Sequence, residues 1–263
     1  MTTVRTTQPR PALVTFRGSV EPRVSLVCIA HAGAGTVPFS SWNTLLPDWV
    51  SVVGVRLPGR ESRLREPLLT TVEEMAGHIV DALPLGPGPV AFFGHCFGGP
   101  VAFRAAQLLE ERGDREVVRL ITASAPIPGG VAAGTYTHEL SSEELFDSLV
   151  AAGAMDSGPD GRTLFALLEP TLRADFAAVE TWSSADFGTV SAPVLVLRGV
   201  HDRIMPETSR SGWGAFTTGG IHRQELPAGH FLLGDAAPAV AATIATYLAS
   251  DLSRRPDARP RSF

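Results

Sequence analysis

Residues Ala91–Phe103, AFFGHCFGGPVAF, constrain this chain more than any other stretch. A short apolar strand runs into Gly94-His95-Cys96-Phe97-Gly98, and a helical pattern leaves at once, with no loop between them. A turn that tight leaves no space for Cβ atoms on its flanks: a side chain at Gly94 or Gly98 would clash with the neighbouring strand and helix. The central residue, Cys96, is then held in a strained backbone conformation, its side chain lifted above the sheet edge. A helix N-terminus directly beneath it favours a thiolate and later an oxyanion. This is the strand–turn–helix context of the G-x-S-x-G nucleophile turn, with cysteine where serine is expected. Taken alone, G-x-C-x-G reads better as an ordinary βα turn around a small buried cysteine, so partners further along the chain decide between the two.

The rest of the chain supplies the sheet. Continuous apolar runs at Val24–Ala30, Val50–Leu57, Val90–Phe93, Val117–Ala123 and Ala192–Arg198 read as strands. Helical spacing marks Thr71–Leu83, Pro100–Arg112 and Ala236–Ala249. Unbroken apolar strands alternating with helices predict an α/β fold, a mostly parallel sheet covered on both faces. From Pro126 to about Asp186 no strand pattern occurs. Two helical patterns, Ser141–Ala151 and Arg162–Trp182, instead predict a helical insertion over one end of the sheet. Within the 263 residues, the expected organisation is a partly ordered arm at 1–20, one α/β domain at 21–250, and a flexible Arg/Pro-rich tail at 251–263.

A nucleophile needs a base, and the base needs an orienting acid. Asp202 lies just past the strand ending at Arg198, on the same sheet edge as Cys96. His230, in Leu226-Pro227-Ala228-Gly229-His230-Phe231, precedes the final helix. The order nucleophile, Asp, His is that of the α/β-hydrolases. His230 is therefore read as base and Asp202 as its orienter. The other histidines compete less well: His95 supports the turn, His201 is a loop residue, and His78, His138 and His222 are expected to face solvent. An oxyanion hole needs two backbone N–H groups near the nucleophile. Phe97 supplies one, and Ala32, in the loop His31-Ala32-Gly33-Ala34-Gly35, supplies the other; the alternative for that loop is a merely tight turn. Cys28, mid-strand among aliphatic residues, is core.

Composition excludes other chemistries. All 22 basic residues are arginine, which removes a Walker-type lysine and Schiff-base chemistry. A net charge of −5 gives no electrostatic ground for a nucleic-acid or anionic-membrane partner. Two cysteines cannot build a disulfide framework or a multi-cysteine zinc site, and no histidine spacing suits a metal. No apolar run approaches the ~20 residues of a membrane span, and the N-terminus lacks a signal peptide's apolar stretch, so a cytoplasmic protein is expected.

With these residues placed, the chain resembles the type II thioesterases of polyketide and non-ribosomal peptide assembly lines. The likeness rests on IAHAGAG (Ile29–Gly35), VRLPGRESRLREP (Val55–Pro67), GHCFGGPVAF (Gly94–Phe103), LRADFAAVETW (Leu172–Trp182), GVHDRIMP (Gly199–Pro206) and PAGHFLL (Pro227–Leu233). The LPGR and LRAD segments are far more specific to that family than the turn alone. The resemblance implies an α/β-hydrolase with a mobile lid, here about 128–185, and no cofactor. It implies a channel for a phosphopantetheine arm and removal of acyl groups from an acyl or peptidyl carrier protein. A monomer is favoured. Cys96, Asp202 and His230 map to the triad, and Ala32 and Phe97 to the hole. Leu164, Phe165, Leu168 and Phe176 either line the acyl chamber or pack the lid on the body.

The departure is the nucleophile, which is serine in that family; Gly99-Pro100 also replaces its usual alanine and aliphatic residue. The cysteine fits a hydrolase that works through an acyl-cysteine, an acyltransferase or cyclase that hands the acyl group to an amine or carbon nucleophile, or a Ser-to-Cys trapping variant. A silent carrier-protein binder is the remaining alternative. Cysteine-dependent Dieckmann-type cyclases resemble the same fold, but they carry the acid after the strand that follows the nucleophile helix. Here that place reads Thr122-Ala123-Ser124-Ala125, without a carboxylate.

Overall fold

Seven strands form one sheet in the computed structural model, which describes residues 11–17, 22–84, 88–130, 136–183 and 187–253. They are β1 (Leu13–Arg17), β2 (Val24–Ile29), β3 (Val50–Val55), β4 (Val90–His95), β5 (Val117–Ala123), β6 (Val194–Gly199) and β7 (Ile221–Leu226). Their spatial order is β1-β3-β2-β4-β5-β6-β7. β1 runs antiparallel to β3, and every other pairing is parallel. Strands β3, β4 and β5 are buried along their whole length, because helices cover both faces.

Those helices are α1 (Trp42–Leu45), α2 (Val72–Ala82), α3 (Gly98–Arg112), α4 (Ser142–Ala151), α5 (Pro159–Glu180), α6 (Glu207–Gly212) and α7 (Ala237–Ser253). Alternate strand residues serve opposite cores. Val27, Ile29, Phe92 and Leu120 meet α2 and α3 through Met75, Ile79, Val101 and Phe103. Leu26, Cys28, Phe93 and Ile121 meet α1 and α7 through Trp42, Val240, Ile244 and Leu248. Helix α2 starts where Thr71 accepts from the Glu74 N–H, and α4 starts in a capping box between Ser141 and Glu144.

Both chain ends hold more structure than the sequence pattern predicts. The arm at 1–20 contributes β1, and the closing helix runs on through Ser253. Asp251 in its last turn pairs with buried Arg119, whose guanidinium lies over Tyr247. Residues 1–10 and 18–20 of the expected arm and 254–263 of the expected tail lie outside the described residues. β7 is a strand that the sequence reading lacks.

Helices α4 and α5 make up the insertion after β5. They share a small core of their own, Leu145, Phe146, Leu149, Phe165 and Leu172. Ala32, in the loop after β2, packs against it from the body.

Candidate active site

β4 and α3 meet at the turn that the glycines announce. An added Cβ at Gly94 would land on the carbonyl of Gly98, and one at Gly98 would strike the carbonyl oxygens of Ile29 and Ala30 at the end of β2. Cys96 between them sits at φ 52, in the left-handed region that a non-glycine residue occupies only when its surroundings insist. Its N–H donates to Ala123 O at 2.9 Å, which ties the turn to the end of β5. The half-buried thiol stands over the start of α3, for which Phe97 is the N-cap.

Two further loops deliver the partners. Asp202 follows β6, and its Oδ1 accepts from Ile204 N–H at 2.9 Å and Met205 N–H at 3.1 Å. His230 follows β7. These loops pack backbone to backbone: an added Cβ at Gly199 would hit the carbonyls of Ala228 and Gly229, and His201 N–H donates to Ala228 O at 2.9 Å. His230 Nδ1 lies 3.1 Å from both Asp202 oxygens, with the two side chains almost wholly buried. Cys96 is the other side chain that acts on the ring, and with Asp202 it raises the imidazole pKa. Since Nδ1 faces the carboxylate, Nε2 is the nitrogen left for sulfur. Cys96, His230 and Asp202 therefore meet at one rim of the sheet.

Electrostatics follow from that contact. Burial alone would depress the His230 pKa, but Asp202 and Cys96 outweigh it and raise the value to about 9. Burial would likewise raise the Asp202 carboxyl, yet His230 and the Met205 N–H hold it well below the usual carboxylate range.

Other histidines are more engaged than the sequence suggests. His95 is fully buried and donates from Nε2 to the His230 carbonyl at 2.9 Å, so it supports the base as well as the turn. Burial keeps it neutral, its pKa pushed well below 6.5. His31, which the sequence reading did not single out, packs edge-on against His95 and Phe231, with ring centroids 5.4 Å apart in both cases. Burial, with His230 nearby, lowers its pKa to about 4. His138 and His78 do not face solvent freely: His138 Nδ1 meets Glu180 at 2.6 Å, and half-buried His78 lies 2.7 Å from Arg63. His201 and His222 are exposed, His222 against Tyr247.

The loop after β2 runs beside the turn, since Ile29 pairs with Gly94. The N–H groups of Ala32 and Phe97 have no hydrogen-bond partner among the described residues. Of the four apolar residues assigned to the insertion, Phe165 stacks on Phe146 at 5.3 Å, and Leu168 and Phe176 pack on the same cluster. Leu164 is 48% exposed. These contacts are those of packing between α4 and α5. Among the described residues no group of three His, Cys, Asp or Glu side chains could hold a metal ion.

One buried pair escaped the sequence reading. Arg60, after β3, forks onto Asp175 of α5, and Asp175 in turn accepts from the Gly33 N–H. The only signal available was that both residues lie in the LPGR and LRAD segments.

Fold and site together define a class. The chain belongs to the thioesterase family of α/β-hydrolases, enzymes that hydrolyse thioesters; the thioesterase-domain profile matches residues 24–248. Among curated proteins it is similar to thioesterase PikA5 of Streptomyces venezuelae, 32% identical over 227 residues that cover 84% of this chain and 79% of that one. It is also similar to the medium-chain S-acyl fatty acid synthase thioesterase of Homo sapiens, 30% identical over 82% and 83% of the two chains. Among solved structures, the RedJ thioesterase from the prodiginine pathway of Streptomyces coelicolor superposes with a TM-score of 0.80 at 28% identity, over 93% and 91% of the chains. The type II thioesterase BorB from the borrelidin cluster superposes with a TM-score of 0.81 at 26% identity, over 94% and 99%. No helix among the described residues is long and apolar enough to cross a membrane.

Proposed function

We propose that this protein is a type II thioesterase that hydrolyses acyl thioesters carried on the phosphopantetheine arm of an acyl or peptidyl carrier protein, through an acyl-cysteine on Cys96. The observation that carries the reading is an imidazole held by a buried carboxylate, with its pKa raised by Asp202 and by Cys96, which stands in the strained turn between β4 and α3. Its setting in polyketide or non-ribosomal peptide biosynthesis is supported by the names of its relatives, which include a gramicidin S biosynthesis protein.

With the thiol proton held on His230 Nε2, as the raised imidazole pKa favours, the Cys96 thiolate attacks the thioester carbonyl. The Ala32 and Phe97 N–H groups hold the resulting oxyanion. The carbon–sulfur bond to pantetheine breaks, and the departing thiolate takes the proton from His230. Water then gives a proton to His230 and attacks the acyl-cysteine. Collapse frees the carboxylic acid, and the proton returns to the Cys96 sulfur. Asp202 stays ionised throughout and holds Nδ1–H. Helices α4 and α5 form the lid that keeps water other than the attacking molecule from the acyl-enzyme.

Acyl-pantetheine and acyl-carrier-protein substrates, with products read by mass spectrometry, test the reading. Free acid that disappears in Cys96→Ala supports it. A cyclic or amide product indicates transfer instead, and no turnover with no acyl-enzyme defeats both.

A further inference from the structure

Asp175 is a buried carboxylate that the hydrolytic steps leave unused. It lies on α5 with its side chain fully covered. Gly33 N–H donates to Oδ2 at 2.8 Å, and Arg60 donates to Oδ2 at 3.0 Å and Oδ1 at 2.8 Å. Arg60, only 4% exposed, also gives an N–H to the Ala34 carbonyl at 3.0 Å. A buried ion pair is weak evidence for stability, because desolvation offsets much of its attraction. Its geometry is the informative part. The pair joins the loop after β2, the loop after β3 and the insertion helix, and two of its contacts fall on the residues that directly follow Ala32.

The same loop is held from its other side. The Glu61 carboxylate accepts from the Thr36 and Val37 N–H groups and from the Thr36 hydroxyl, and Arg56 steadies it at 2.7 Å. Glu61 reaches that position at φ 49, a strained value for a side-chain-bearing residue. Gly33 adopts φ 76, and an added Cβ would meet Leu172 of α5 at 2.8 Å, so the helix rests directly on the loop. Residues 33, 34, 36 and 37 are thus all fixed, while the N–H of Ala32 is left without a partner.

We infer that the buried Arg60–Asp175 pair is a positioning device that aims the Ala32 N–H at the oxyanion and makes the hole complete only while α5 is seated. This rests on Cys96 as nucleophile and Ala32 as donor. An oxyanion donor acts by being aimed before charge develops. When α5 lifts, Asp175 leaves Gly33 and Arg60, so the loop loses its hold at Gly33 and the carboxylate that braces Arg60 on Ala34. Acylation is thereby confined to the closed enzyme, in which water is excluded. Lid and hole are two ends of one contact.

Two reactions of the same sulfur separate positioning from general damage. Acylation by a hexanoyl-N-acetylcysteamine thioester builds an oxyanion, whereas alkylation by iodoacetamide displaces iodide at carbon and builds none. In Asp175→Asn the single-turnover acylation rate and kcat are expected to fall about 10- to 100-fold with KM within about threefold, while Cys96 alkylation stays within about twofold of wild type. Arg60→Lys keeps charge and approximate volume but cannot fork, and is expected to give a smaller loss of the same kind; it carries the test if Asp175→Asn does not fold. Acylation near the wild-type rate in the folded variants overturns the inference. So does a parallel fall in acylation and alkylation, the signature of a disordered site. Wild-type controls keep the parent reading separate: hydrolysis that survives Cys96→Ala, or a wild-type Cys96 inert to iodoacetamide, sinks the cysteine mechanism itself.

Discussion

Asp202→Asn separates the charge of the acid from its shape. Asp202 Oδ1 accepts from Ile204 and Met205 N–H at 2.9 and 3.1 Å, so an asparagine keeps its carbonyl oxygen on those donors and turns its NH2 towards His230. In the native chain Nδ1 faces two carboxylate oxygens at 3.1 Å, which only accept, so Nδ1 carries the proton. An amide NH2 there sets a donor against a donor. A neutral imidazole escapes by carrying its one proton on Nε2, and in the proposed mechanism it can then neither accept the Cys96 proton there nor persist as the imidazolium beside a thiolate. Two losses combine. Raising an imidazole from 6.5 to about 9 reflects about 3 kcal/mol of preference for the protonated ring, shared between Asp202 and Cys96, or about 10²-fold in rate if all of it is lost. The wrong tautomer adds to this, and the corresponding change in a serine protease costs about 10⁴-fold in kcat. The kcat/KM for a pantetheine thioester at neutral pH is therefore expected to fall by about 10² to 10⁴, with the fold retained. Steady-state kinetics on the two enzymes checks it. An Asp202→Asn variant within about tenfold of wild type refutes the assignment of Asp202 as orienter.

The same pair gives a pH signature in stability. Because the folded chain raises the His230 pKa from 6.5 to about 9, its contribution is complete below about pH 6.5 and is lost as pH rises through about 9. Asp202, depressed in the folded state, is ionised throughout that window and adds no slope. Urea unfolding should show stability declining from about pH 6.5 to 9 in wild type and a flatter profile in Asp202→Asn; a flat wild-type profile contradicts the raised value. Gly98→Ala drives a methyl into the Ile29 and Ala30 carbonyls and should cost at least about 1–3 kcal/mol along with most activity. Gly77→Ala, in open space within α2, should instead stabilise by about 0.5–1 kcal/mol, and thermal melts of the two variants read the contrast. Phe165→Ala empties the core between α4 and α5, at a cost of about 3–5 kcal/mol confined to the insertion. Limited proteolysis should then cut α4 and α5 faster than wild type while the sheet domain resists; unchanged cleavage contradicts an insertion core of its own.

How far the fold could be read from residues depended on burial. β3, β4 and β5 are covered on both faces, so their sequences are unbroken apolar runs and their positions follow. β7, IHRQEL, is the edge strand next to β6, with four of its six residues exposed, and carries no such mark. β1, LVTFR, lies at the opposite edge, where one antiparallel neighbour and the packing of Leu13 and Phe16 hold a run only five residues long. Helix ends failed for a different reason: Asp251 looks like part of a solvated tail until Arg119, far away in sequence, is brought beneath it.

The site divides along the same line. Cys96, Asp202 and His230 each sit on a loop that follows a strand. The ends of β4 and β6 were legible, whereas His230 was found from the nucleophile–Asp–His order and its place before the final helix, without β7. Only the glycines at the turn needed stereochemistry as well. Arg60 and Asp175 are 115 positions apart and belong to a loop and an inserted helix, elements whose relative placement no local pattern encodes. Their segments stand out as motifs, yet a motif does not say what it touches. A buried arginine and a buried aspartate must nevertheless find each other or leave a charge uncompensated, so their pairing is as strongly specified in the folded chain as any core contact. The legible residues are the ones proposed to hold the reacting atoms, and the illegible pair joins the loop after β2 to helix α5.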